Sequence, residues 1–275
     1  MIRVLLPLLL LLAAAPAAAQ GVPEALRGTW TAGDCTAPEA MLHVTARSVA
    51  RLPAEGPARL VRFRSLRETG GWILGTGGGA EAPRILLRTA SGALETIEPD
   101  PKTRDDRLPG EARPLRWDRC TTPPPVLALM HGEGLAFLGA LERIEATCQG
   151  GTAPACLEAV VAVGDVSGDG LLGAAEIARL LRGAAWALAA RDQAEPDSFA
   201  AAVGLGGLAA LAAARLMVES LDFDGDGRLS AAELGQDRAV FPPGTGDARG
   251  RPIALEALAD GNALLRGLLE RLTAE

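Results

Sequence analysis

The chain has 275 residues, 48% of them hydrophobic, few of them aromatic (four Trp, five Phe, no Tyr), and a formal net charge of −7. Such a composition can bury a real core, which excludes global disorder. With no linear basic run able to neutralise several phosphates, it also argues against nucleic acid as a partner.

Residues 1–19 read as a secretory signal peptide: Arg3 is the positive n-region, "VLLPLLLLLAAA" the apolar h-region, and small residues lead to a cleavage point after Ala19. The apolar run is too short and too broken by proline for an anchor, and no later segment offers about 18 uninterrupted apolar residues. No membrane insertion is expected. No Cys adjoins the cleavage point, so no lipid anchor is expected either. Loss of the leader removes Arg3 and takes the formal charge from −7 to −8. The expected destination is secretion, into a bacterial periplasm.

Residues 20–121 carry strand patterns. "LRGTW" (26–30), "MLHVTARSVARL" (41–52), "ARLVRFRSL" (58–66), "GWILGT" (71–76), "RILLRTA" (84–90), "ALETIEP" (93–99) and "PLRWDRC" (114–120) are short and several alternate. Gly, Pro, Ser or Asp separates them. The expectation is a small antiparallel β-barrel or sandwich. "TTPPPV" (121–126) ends it, because prolines fix φ and remove donors; residues 122–126 are read as a linker. Residues 127–275 then read as helices, with apolar residues at helical spacing in 134–148, 156–164, 176–192, 205–221 and 254–272. The fold class is therefore α+β, a β domain followed by an all-α domain. Cys35, Cys120, Cys148 and Cys156 allow three pairings. Cys35–Cys120 with Cys148–Cys156 is favoured, since each pair then stays within one domain. An even count fits an oxidising compartment.

Two twelve-residue stretches in the helical half carry the chemistry. In "DFDGDGRLSAAE" (222–233), Asp222, Asp224 and Asp226 occupy positions 1, 3 and 5. Gly227 at 6 allows a sharp turn, Arg228 at 7 offers its carbonyl, Ser230 at 9 can ligate directly or through water, and Glu233 at 12 can clamp with two oxygens. Calcium takes six to eight oxygens in such a wrap. "DVSGDGLLGAAE" (165–176) repeats it with Asp165, Ser167, Asp169, Leu171 by its carbonyl, and Glu176. Ser167 replaces an acid or amide, and Gly173 at 9 implies a water. Fewer charged ligands predict weaker binding there. Between the loops, either the two helices are long or 193–204 forms a lid or an extra turn.

Over roughly 156–240 the chain resembles the EF-hand calcium-binding family. The resemblance implies two calcium sites, structural or sensory, and no catalysis. The segment "LRGTW", with Gly28 and Trp30, resembles the first strand of small lipocalin-like or protease-inhibitor barrels, a likeness of fold alone. It carries the alternative that the β domain binds an unidentified protein or small molecule while calcium stabilises the helices. Nothing points to an enzyme. His43 and His131 are the only imidazoles and read as structural, and no GxSxG or HExxH occurs. "GTGGGAEAP" (75–83) lacks a GK[ST] ending and reads as a hairpin tip. Trp30, Trp72, Trp117 and Trp186 read as core.

Overall fold

The computed structural model describes residues 21–79 and 82–240. The expected signal peptide, the final helical pattern at 254–272 and the tip Ala80–Glu81 lie outside the described residues. Among the described residues, those from Gly21 to Ala239 belong to one compact unit.

Nine strands form one curled antiparallel sheet. They are β1 (Gly28–Ala32), β2 (Ala40–Val44), β3 (Ser48–Pro53), β4 (Arg59–Arg62), β5 (Ser65–Thr69), β6 (Trp72–Thr76), β7 (Arg84–Ala90), β8 (Ala93–Ile97) and β9 (Leu115–Arg119). Their order is β4-β3-β2-β1-β9-β8-β7-β6-β5. The runs read as single strands at 41–52 and 58–66 are each split. The first folds back at Thr45–Arg47, and the second is divided at Phe63–Arg64. There the Phe63 amide bonds back to Arg47 O and the Arg64 amide to Thr76 O, so the two edges of the sheet meet through this corner.

Alternation gives the sheet two buried faces. Inside the curl lie Trp30, Leu42, Val44, Val49, Val61, Phe63, Ile85, Leu87, Leu94 and Trp117. Trp30 Nε1 donates to Leu26 O and Trp117 Nε1 to Thr96 Oγ1, so both indoles are buried without an orphaned donor. Packing leaves a cavity of only about 10 Å³ among Leu42, Val49, Val61, Ile85, Thr96 and Trp117. That is room for at most one water at this point. Cys35–Cys120 joins the segment after β1 to the end of β9, with Cα atoms 5.6 Å apart.

The helices are α1 (Pro125–Cys148), α2 (Ala153–Gly164), α3 (Ala174–Arg191), α4 (Pro196–Leu221) and α5 (Ala231–Leu234). One expectation is corrected here and one alternative is decided. The proline linker at 122–126 gives its last two residues to α1, and Pro196 opens α4, so the long helices hold and the lid or extra turn does not. In both, a proline occupies the first helical turn, where its missing N–H is not needed and its fixed φ suits the helix. With 193–204 largely helical, two long helices fill the interval between the loops. By length and composition α4 could cross a membrane, with a mean hydropathy of 1.8 over its most apolar 18-residue window. Here it packs along α3 and β11 (Arg228–Leu229) through Ala210, Ala214 and Val218. Cys148–Cys156 ties the end of α1 to α2.

The outer face of β2–β4 and the helices share a core: Met41, Ala50, Leu52 and Leu60 meet Leu138, Trp186, Ala190 and Phe199. The 122–126 boundary thus separates kinds of element rather than separate cores. Two α1 carboxylates fasten this junction. Glu142 accepts from the Ala46 amide (3.1 Å), the Arg47 amide (3.0 Å), Ser48 Oγ (2.9 Å) and Thr45 Oγ1, and so closes the β2–β3 turn. Glu145 takes both arms of Arg62 at 2.7 and 2.6 Å. Glu142→Ala strands the Ala46 and Arg47 amides and Ser48 Oγ, Thr45 Oγ1 keeping the Ser48 carbonyl at 3.3 Å, and should cost about 2 kcal/mol. Urea denaturation beside Glu142→Gln, which keeps an acceptor and loses less, checks this; an unchanged midpoint for the alanine variant would contradict the clamp.

Candidate metal centre

Loop one runs from the end of α2 into the first turn of α3, and loop two from the end of α4 into α5. Each opens on an aspartate whose carboxylate gathers the loop amides. In loop two, Asp222 accepts from Gly225 N (2.7 Å), Asp226 N (3.1 Å) and Gly227 N (2.8 Å). In loop one, Asp165 accepts from Gly168 N (2.6 Å), Asp169 N (3.3 Å) and Gly170 N (2.7 Å). Position 5 accepts from the amide of position 7 in both, Leu171 N to Asp169 and Arg228 N to Asp226. The amide at position 2 reaches the closing glutamate in both, Val166 N to Glu176 (2.8 Å) and Phe223 N to Glu233 (3.0 Å). One hydrogen-bond scheme is thus written twice.

Glycines make these turns possible at two positions of each loop. Gly168, Gly170, Gly225 and Gly227 have φ between 78° and 82°, the left-handed region that side chains avoid. The ligand spacing points to Gly170 and Gly227 alone; Gly168 and Gly225 at position 4 show only when the two loops are aligned as D-x-x-G-D-G. The loops are joined by a two-residue antiparallel bridge, β10 (Leu172–Gly173) to β11, with Leu172 opposite Leu229. Both leucines are fully buried, in a core with Val161, Ile177, Ala178, Ala214 and Val218.

The fit to a cation differs between the loops. Asp222, Asp224 and Asp226 each offer a carboxylate oxygen, all within 4.8 Å of one another. Oxygens at 2.3–2.6 Å from a common ion lie at most about 5 Å apart, so this trio fits calcium. The crowding is visible in protonation. The Asp226 amide favours the Asp224 carboxylate, but desolvation and the charges of Asp226 and Glu233 outweigh it, leaving Asp224 above its ordinary value. Glu233 is held below its ordinary value by the Ser230 amide and hydroxyl. Its oxygens therefore stay ionised beside the trio. Arg228 and Ser230 stand at positions 7 and 9 as expected, Ser230 also capping α5.

In loop one, burial pushes Glu176 up, but the amides of Gly173, Ser167 and Val166 outweigh it and lower its value. The Gly170 amide lowers Asp165. Ser167 bonds to Asp165 at 3.2 Å. Asp169, however, is taken by a guanidinium: Arg228 of loop two reaches across the bridge to its Oδ2. A residue expected to serve loop two by its carbonyl thus also holds an expected ligand of loop one by its side chain. A cation at loop one would have to displace that pair. Exposed ion pairs contribute at most about 1 kcal/mol, so Arg228→Gln should raise calcium affinity at loop one about two- to fivefold. Loop-resolved calcium titration by NMR would detect this; an unaltered loop-one affinity would show that the guanidinium does not compete.

The histidines are remote from both loops. His43 faces Thr29 Oγ1 at 3.0 Å and is lowered by burial, with Glu142 opposing. His131 lies in the sheet–helix core. Comparison with known proteins returns no matching family model, no matching curated protein and no matching solved structure.

Proposed function

We propose that this is an exported calcium-binding protein of EF-hand type, in which 222–233 is the stronger site, 165–176 the weaker, and calcium is structural or sensory without catalysis. The observation that carries it is the trio of Asp222, Asp224 and Asp226 inside a loop whose hydrogen-bond scheme recurs at 165–176. The bridge between the loops supports coupling of the two sites. Two disulfides fit an oxidising compartment, and secretion to a periplasm is the destination the leader sequence supports. Calcium there is plentiful, which suits affinities of about 10⁻⁴–10⁻³ M. Calorimetric titration of the chelator-stripped protein should show two unequal sites; no heat at millimolar calcium would overturn the reading.

A further inference from the structure

Away from the loops, a cleft of about 890 Å³ opens beside the corner where β4 meets β5. Five arginines line it: Arg47 from the β2–β3 turn, Arg59, Arg62 and Arg64 from β4 and the corner, and Arg191 from the end of α3. Glu145 is the one carboxylate lining it among the described residues. In a chain with 34 acidic and 27 basic residues, five arginines against one carboxylate along a single cleft invert the overall balance.

Three of the five have carboxylate partners. Arg62 pairs with Glu145, Arg59 with Glu98 and Arg191 with Asp192. Arg47 and Arg64 form no salt bridge among the described residues. The nearby Glu142 does not serve Arg47's guanidinium, because its oxygens are spent on the backbone and hydroxyls of the turn. Arg64 is seated by a glycine: a Cβ at Gly78 would lie 2.6 Å from its Nε. The amides of Gln149 and Gln193 add neutral donors.

We propose that this cleft binds a compact multivalent oxyanion, one carrying two or more phosphate, sulfate or carboxylate groups. Arginine forks match such groups in pairs of parallel hydrogen bonds, where lysine offers a point charge. The volume suits a sugar-sized body. A single small anion would engage only part of it. No stretch of the sequence shows the site, since its arginines are collected from three separate segments.

The test uses the full mature chain and calorimetry at low ionic strength. Sucrose octasulfate, pyrophosphate and citrate are titrated, with inorganic phosphate and plain sucrose as controls. The expected result is saturable 1:1 binding of at least one multivalent probe, weaker phosphate, no sucrose binding, and loss of affinity with added salt. Arg47→Gln/Arg64→Gln should weaken binding about 100-fold, roughly tenfold for each charge-assisted contact. Neither residue bridges a carboxylate, so its circular dichroism and thermal midpoint should match the parent. Arg113→Gln/Arg215→Gln, at exposed positions elsewhere, should leave affinity unchanged. Pyrophosphate and citrate chelate calcium, so the octasulfate titration is run with and without the metal. Equal affinity in both supports the cleft whether or not the loops bind calcium. No saturable binding, equal loss in both double variants, or binding only with calcium would overturn it.

Discussion

Glu233→Gln should lower calcium affinity at 222–233 by more than about 100-fold while leaving the calcium-free fold intact. In the proposed site the closing glutamate would supply two of the ion's six to eight oxygens and one of four carboxylate charges. Even partners that only orient a ligand cost 10–100-fold when removed, so loss of a clamping ligand should cost at least the upper end of that range. The loop's own hydrogen bonds draw this side chain inward. Its oxygens accept from the Phe223 amide, the Ser230 amide and Ser230 Oγ. Glutamine preserves length and one acceptor oxygen, enough for the Ser230 amide and hydroxyl that share Oε2, so only the Phe223 amide loses its partner, the α5 cap should survive and circular dichroism without calcium should not change. Glu176→Gln should act on the weaker site, and through the Leu172–Leu229 bridge only modestly on the stronger one. Calorimetry on both variants reads this directly. Parent-like binding by Glu233→Gln would remove the closing glutamate from the site and with it the EF-hand reading.

The reason the loops were legible and the rest of the molecule less so is physical. A twelve-residue wrap takes all its ligands from one short run, so spacing alone carries the geometry of Asp222, Asp224, Asp226 and Glu233. Strand periodicity carried the sheet equally well, because alternation reports a local two-residue repeat. It failed at Thr45–Arg47 and at Phe63–Arg64, where apolar alternation runs on through a tight turn and a corner. The signals missed there are long-range: the turn is closed by Glu142, about a hundred residues away, and the corner by the Thr76 carbonyl. Pro125 reads as a breaker because the same residue that stops a helix also starts one, and only the following residues decide; Pro196 opens α4 in the same way. Arg228 shows the limit within the loop itself. Its carbonyl role follows from spacing, but its side-chain partner Asp169 belongs to the other loop and depends on the bridge.

Acid should destabilise the sheet–helix junction through His131, which burial holds down to about 4. The ring is 7% exposed, and Nδ1 faces the Trp186 indole, whose Nε1–H donates to it at 3.1 Å. Phe199 and Trp186 pack on its faces and edges, with ring centroids 5.6 and 6.0 Å away. Indole can only donate, so Nδ1 must be unprotonated and the neutral ring carries its proton on Nε2. Protonation would set two donors against each other in an apolar pocket. In the unfolded chain the same ring titrates near 6.5. The unfolded state therefore binds the proton first as pH falls, and stability decreases with falling pH below about 6.5 until the folded ring also protonates near 4. A depression of this size should cost roughly 2 kcal/mol between pH 7 and 5 and about 3 kcal/mol by pH 4, on the scale of 1.4 kcal/mol per unit. Other carboxylates also titrate there, so the informative quantity is the difference from His131→Asn. Asparagine keeps an acceptor near the Nδ1 position and cannot protonate. It should be less stable than the parent at pH 7, because the ring's packing is lost, yet its urea midpoint should fall less steeply between pH 7 and 5. Parallel pH profiles for the two proteins would show that the buried imidazole is not the acid-sensitive point of the junction.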